Sequence, residues 1–373
     1  MENNKIEQWI SRDTHIKQDM INRMVDLFDE ATMKHYYGFI DEERENTDVT
    51  NYNNEKATTN YYESLFKVID YFLNGEDLKV DDEVKNEIDD ILEAFEADVD
   101  ENGINTEEIL SLIHISEPTR LLEAFEADVD ENGINTEEIR RAFLLLDIKA
   151  FKNVNFPLDL ITPDVVGLIF AKLINACYFD KKELLVLDPN FGVGNLMFTL
   201  YNYAKMEIHM IGMENHPLLA SAAMHKANMM MIPLEMYYQD ALEYQVLEPD
   251  LVLSDLATYD YDNSEYHSKL YNQGVKYFPY LAIEHDLMID KPHLSFYLVN
   301  NDFFSHDKSN LFNDYLHERG HIVCLITLPT SMFQNQNEAK SILVIQNVVT
   351  TSKDMHIFML PDFSNKEKFL NKL

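Results

Sequence analysis

At 373 residues and 46% hydrophobic content, the chain is long enough for two domains and a sizeable core. Its net charge of −36 divides as −25 in residues 1–150 and −11 in residues 151–373, so neither half offers the basic patch that tight duplex binding draws on. No window approaches the roughly 20 apolar residues needed to span a bilayer, and the polar, acidic start MENNKIEQWISRD is not a signal peptide.

Up to about residue 150 the pattern is helical. Ile6, Ile10, Met20, Met24, Val25 and Phe28 recur at three- and four-residue steps, and Tyr61, Leu65, Val68, Ile69 and Phe72 repeat the pattern. Between them DEERENTDVTNYNNEKATTN is polar enough for a long connection. The expectation is an acidic, all-helical N-terminal domain over residues 1–150.

Inside that half, Leu92–Ile109 reads LEAFEADVDENGINTEEI and Leu122–Ile139 repeats it without a change. Natural repeats drift and stack as units. The stretch between the copies, LSLIHISEPTR (Leu110–Arg120), resembles the translated end adapter of transposase-made sequencing libraries in all 11 residues. Residues 92–121 therefore read as an assembly artefact, one duplicated copy plus adapter; the alternative is a genuine recent duplication. Without them the chain would have 343 residues and a charge of −29.

The repeat also resembles a calcium loop, with Asp98, Asp100, Asn102 and Gly103 in ligand-like positions. After the glycine the register slips, leaving Ile109 where the bidentate Glu should stand. The favoured reading is an Asn-Gly turn followed by Thr106 capping a helix, with Glu107 and Glu108 in its first turn. A calcium-binding module stays as the weakest of three functional readings, and no metal site is assigned.

From residue 160 short apolar strands alternate with helical stretches, as in βαβ folds. Candidate strands are Leu184–Leu187, His209–Met213, Leu251–Leu253, Leu294–Val299, Ile322–Thr327 and Ser341–Gln346. A helix over Pro163–Ala176 is expected before the first of them, with Thr162 as its N-cap. Cys177 and Cys324, in apolar surroundings and outside any metal-type spacing, read as small core residues of a cytoplasmic protein. Met229, Met230 and Met231 read as core filler near a helix end.

LLVLDPNFGVGNLMFTL (Leu184–Leu200) is a strand, a glycine turn and a helix. Gly192 and Gly194 let the backbone approach a ligand, and Met197 stands where a third dinucleotide-type glycine would be. Asp188 and Pro189 precede the turn, and Glu214 ends the next strand, where an acid can take both hydroxyls of a ribose.

DPNFGVGNL resembles the first motif of class I S-adenosylmethionine (SAM) methyltransferases, in the form carried by adenine-specific DNA methyltransferases. ITPDVVGLIFAKLI, GMENHP, YYQDAL, HLSFYLVNNDFF and GHIVCLITLPTSMFQNQNEAKSILVIQN follow in the order seen in modification subunits of type I restriction systems and their free-standing YtxK-like relatives. The resemblance covers residues 160–350. It implies an α/β fold over residues 151–373, a Rossmann-like, seven-stranded, mostly parallel sheet with SAM at the carboxyl ends of the first strands. It further implies that Asp188 and the backbone of Gly192, Gly194 and Asn195 hold the methionine part, Glu214 the ribose, and Asp240 with Ala241 the adenine, with Thr162, Pro189 and Asn215 also at the cofactor.

PDLVLSDLATYDYD then brings Ser254 and Asp255 to a strand end, where the family places Asn/Asp/Ser-Pro-Pro-aromatic. The chemistry explains those types. An exocyclic adenine amine is a poor nucleophile, so a side-chain oxygen and a carbonyl accept its two N–H groups while a ring stacks on the flipped base. Here the four residues are Asp255-Leu256-Ala257-Thr258. The acid is present, both prolines are absent, and the ring comes one place later as Tyr259, with Tyr261 a further candidate. Downstream, Tyr266, Tyr271, Tyr277, Phe278 and Tyr280, with Lys269 and Lys276, could form a single-strand stacking platform, but burial over the sheet is the favoured reading.

Two principal readings follow. One is a SAM-dependent N-methyltransferase with Asp255 and Tyr259 at the acceptor and DNA as the acceptor suggested by resemblance. The other is a non-catalytic SAM-binding or scaffold protein. With either reading the acidic charge leaves room for a protein partner that would supply basic surface, and the lack of a spanning apolar window points to no membrane.

Overall fold

The computed structural model describes residues 10–11, 16–46, 61–74, 121–243, 247–333, 339–348 and 355–362. Two compact units emerge: Met1–Leu158 together with His225–Ile232, and Asp159–Met224 together with Pro233–Leu373. Ile6 and the whole of residues 92–120 lie outside the described residues.

The first unit is built on helices α1 (Gln18–Asn46), α2 (Tyr61–Asn74), α3 (121–132) and α4 (Thr136–Val154). The expected periodicity is used: Met20, Met24 and Phe28 of α1, and Tyr61, Leu65, Val68 and Ile69 of α2, are buried. Phe28 meets Phe125 and Phe72 edge-on at 5.4 and 5.5 Å, contacts worth about 0.5–1.5 kcal/mol each beyond area burial. Deeper in this unit the Lys226 ammonium, 1% exposed, pairs with the equally buried Asp147, which also accepts from the Tyr62 hydroxyl.

Two expectations are corrected here. Ile10 is not helical: Ile10–Ser11 (β1) pairs in parallel with Ile134–Asn135 (β2). The polar connection expected from residue 41 starts later, because α1 runs on to Asn46.

The second copy of the repeat shows what its sequence does. Its counterparts of the would-be calcium ligands, Asp128, Asp130 and Asn132, sit in α3. Residues two apart on a helix point to different sides, so they do not converge. The next helix is capped one residue earlier than the Thr position expected from the first copy. Asn135 accepts from the Glu138 N–H at 2.9 Å, and Glu138 accepts from the Asn135 N–H at 3.0 Å, a closed capping box.

The second unit is an eight-stranded sheet: β3 (Glu183–Asp188), β4 (Glu207–Glu214), β5 (Leu234–Tyr238), β6 (Leu251–Asp255), β7 (Leu294–Asn300), β8 (His321–Thr327), β9 (Lys340–Gln346) and β10 (His356–Met359). The order is β10-β8-β9-β7-β6-β3-β4-β5, and among the described residues only β9 runs antiparallel to its neighbours. All six candidate strands are present. The expected seven strands become eight because β10 pairs in parallel alongside β8. β5 and β10 escaped the sequence reading because their residues are largely solvent-facing, so neither shows the continuous apolar run of a strand buried on both faces.

Before β3 comes α5 (Asp164–Cys177), which packs on α6 (Asn195–Tyr203) through Gly167 and Thr199. Helix α5 starts one residue later than expected, with Pro163 at the cap position and no side-chain cap bond. Thr162 is not the N-cap; its hydroxyl is used elsewhere.

The expectation that no stretch is long and apolar enough to span a bilayer meets one exception by length and composition, Leu158–Cys177. Folded, it is a short 3-10 turn and the 14-residue helix α5, about 21 Å long at 1.5 Å per residue. That is short of the roughly 30 Å hydrocarbon layer. Cys177 and Cys324 are not core residues: Cys177 ends α5 exposed and Cys324 on β8 is half-buried. Burial still raises both thiols, Cys324 to about 11, which keeps them poor nucleophiles at neutral pH. Met229 and Met230 are buried, whereas Met231 is exposed in a left-handed conformation.

Candidate functional site

Parallel strands put their carboxyl ends on one edge, and three adjacent strands bring an acid there. Asp188 ends β3, Glu214 ends β4, and Asp240 lies two residues past β5. The turn after β3 wraps back on the second of these acids. Gly192 is left-handed at φ 56° and donates its N–H to Glu214 Oε2 at 2.9 Å, while Phe191 N–H reaches the Met213 carbonyl at 3.0 Å. Among the described residues, a Cβ at Gly192 would meet only the Leu160 carbonyl, at 3.7 Å, which leaves the front of the turn open. Gly194, at φ 77°, is needed for packing: a Cβ there would strike the rings of Phe191 and Phe198 at 2.5 Å.

Asp188 is fully buried. It accepts from the Ser254 hydroxyl at 2.7 Å and the Asn190 N–H at 3.0 Å. Burial first, and then the charges of Asp255 and Glu214, push its carboxyl up to about 7 against these hydrogen bonds. Burial likewise raises Glu214, whose second oxygen accepts the His216 N–H at 2.8 Å, with the neighbouring Asn215 N–H also directed to the carboxylate. Pro189 is buried behind the turn and the Asn215 side chain is exposed. Asp240 is half-buried and closes a turn over Ala241 by accepting the Leu242 N–H at 2.8 Å.

Asp255 is reached from two sides. Thr162 donates its hydroxyl to Oδ2 at 2.8 Å, and Lys340 donates to Oδ1 at 2.6 Å. The Asn195 side chain, at the start of α6, ties the same segment to the glycine turn by donating to the Thr162 carbonyl at 2.6 Å and to Asp164 at 3.1 Å. Thr162, Asn195 and Asp255 are thus joined by one chain of hydrogen bonds, and Gly192 and Glu214 by another.

The missing prolines have a structural counterpart. Leu256 is buried and donates its N–H to the Leu298 carbonyl at 3.1 Å, carrying the β6–β7 ladder one residue past Asp255. A proline there could not make that bond. The chain then turns so that the Tyr259 ring stacks on Phe278, with centroids 4.6 Å apart and planes within 15°, while the residue stays 41% exposed. Burial raises its hydroxyl pKa, and the next causes are the charges of Asp240, Tyr261 and Glu214. Its hydroxyl thus lies within electrostatic reach of Asp240 and Glu214. Tyr261 is buried against Tyr266 and Tyr271.

The downstream aromatic segment is packing, as favoured. Tyr277, Phe278 and Tyr280 are buried, and Lys269 and Lys276 pair with Glu318 and Asp262. A cleft lined by Leu168, Ala171, Asn175 and Tyr203 lies at the far ends of α5 and α6, by the amino ends of the strands.

The arrangement suits a cationic ligand that carries ribose-type hydroxyls. Three carboxylates on one strand edge favour a sulfonium and an ammonium and oppose phosphates; an acid beside an open glycine turn suits ribose hydroxyls and a backbone-held amino acid. Lys340 was not singled out by sequence. Its signal was a basic residue opening the apolar run SILVI.

No family model matches the chain. The Bacillus subtilis protein YtxK, itself uncharacterized, is 33% identical over 201 residues, which are 52% of this chain and 61% of that protein. The crystal structure of a Listeria monocytogenes protein named as a class I SAM-dependent methyltransferase superposes at TM-score 0.69 and 21% identity, over 95% of this chain and 98% of that one. A type I restriction-modification methyltransferase subunit from Streptococcus thermophilus gives TM-score 0.56 and 13% identity, over 99% of this chain and 90% of that one. The fold is that of the class I SAM-dependent methyltransferases.

Proposed function

We propose that this methyltransferase-fold chain binds SAM along the β3–β4–β5 edge and transfers its methyl group to an amine. The observation that carries the reading is the Gly192 turn, open in front and hydrogen-bonded to Glu214, with Asp188 and Asp240 on either side. In this reading Asp188 and the Gly192–Asn195 turn hold the amino-acid part, Glu214 the ribose, and Asp240 the adenine, with Tyr259 covering that edge. Asp255 would accept an N–H of the incoming amine, and the methyl group would pass from sulfur to nitrogen without a covalent enzyme intermediate. DNA adenine is the acceptor class suggested by the motif resemblance, and a basic partner subunit would have to offset the acidic surface.

A second reading, SAM binding without transfer to an outside acceptor, is favoured by one specific observation: both oxygens of Asp255 are already engaged, by Thr162 and Lys340. The experiment is calorimetric titration of SAM into the protein, with Gly192→Val and Glu214→Ala alongside. Micromolar binding lost in both variants is expected; wild-type heat indistinguishable from dilution would overturn the SAM reading. Asp255→Ala then separates the two readings, abolishing transfer under the first and leaving every function intact under the second.

A further inference from the structure

We propose that Lys340 is a methyl acceptor of its own chain, a self-methylation site built into the acceptor end of the sheet. The inference rests on the SAM reading above and names a substrate for the same site.

Topology makes the placement possible. Every strand around β6 is parallel to it except β9, whose reversed direction carries its first residue to the carboxyl edge. The register sets Asp255 beside Leu298 on β7, and Asn300 beside Lys340 on β9. The Lys340 ε-nitrogen donates to Asp255 Oδ1 at 2.6 Å, with the two side chains only 11% and 12% exposed. That is the position an acceptor amine must take if Asp255 is to orient it by accepting an N–H.

The same carboxylate is held by Thr162, and Thr162 by Asn195 at the end of the glycine turn. The amine is therefore three hydrogen bonds from the turn that would hold the methyl donor. Lys340 also fills the place an outside amine would need, which accounts for the engaged state of Asp255.

The Lys340 ammonium loses one proton to water, with Asp255 as the adjoining base, and its nitrogen lone pair forms the new N–C bond. The S–C bond of the sulfonium breaks, with its electron pair left on sulfur as a neutral thioether. The product is a secondary ammonium that keeps the positive charge, so the ion pair with Asp255 survives and one proton is released per methyl group.

The test uses the full chain incubated with SAM, followed by intact mass and peptide mapping, with SAM calorimetry on the same preparation. The expected result is a mass gain of one methylene unit on the peptide carrying Lys340, at a rate independent of protein concentration and absent in Lys340→Arg and Asp255→Ala. The wild-type peptide map decides the point even if a variant fails to fold. SAM binding with no mass gain, or a gain mapped to another residue, overturns self-methylation and leaves the SAM reading standing, with Lys340–Asp255 as a structural ion pair. No SAM binding overturns both.

Discussion

Asp188 is the residue whose chemistry most constrains the site. A carboxyl pushed up to about 7 by burial is largely neutral in the folded protein at pH 5–6 and ionised in the unfolded chain. The unfolded state then binds fewer protons, so stability falls as pH rises. This contribution is fully present below about pH 4 and lost as pH climbs through about 7, a swing of up to roughly 4 kcal/mol. Asp188→Asn is expected to flatten the decline in melting temperature between pH 5 and 7.5; a variant with an unchanged profile would remove Asp188 as its cause. A cationic ligand reverses the balance by favouring the carboxylate. SAM binding near pH 6.5 should therefore release a proton, read as a dependence of the binding heat on the ionisation enthalpy of the buffer.

At the scale of elements, β6 shows how a one-residue change in a strand end reshapes an acceptor site. The Leu256 N–H extends the ladder to Leu298 and its side chain is buried. Leu256→Pro, which restores a family-like proline, should cost at least about 2 kcal/mol from the lost ladder bond and the emptied volume. A lower urea midpoint is the expected result, and an unchanged midpoint would mean that the strand end accepts the proline turn. The sequence made β6 legible because it is buried on both faces and reads as an unbroken apolar run. The glycine turn was legible because left-handed backbone at Gly192 and Gly194 demands glycine. Three features were not legible. Edge strands β5 and β10 face solvent and lack that run. Thr162 has the residue type and position of an N-cap, and only its contact with Asp255, 93 residues away, shows otherwise. Lys340 meets Asp255 only because β9 is reversed, and strand direction leaves no mark in hydrophobic pattern.

For the whole molecule, charge and the internal repeat make separate demands. With −36 overall, the chain alone should show no saturable binding of a fluorescent duplex below about 100 µM at near-physiological salt, since phosphate neutralisation supplies most non-specific affinity; saturation in the low micromolar range would overturn that expectation.

The artefact reading of the repeat makes a prediction of its own. In the helical unit the second copy makes the described contacts. Glu138 accepts the Lys17 N–H at 2.5 Å, Asp128 pairs with Arg23 at 2.6 Å, Phe125 packs on Phe28, and Asn135 caps α4. These partners are held by the second copy. A 343-residue form without residues 92–121 should therefore melt within about 2 °C of the full chain and titrate SAM identically. A loss of more than about 5 °C, on the order of 1–2 kcal/mol for a protein of this size, would mean that the first copy holds contacts of its own and that the duplication belongs to the folded protein.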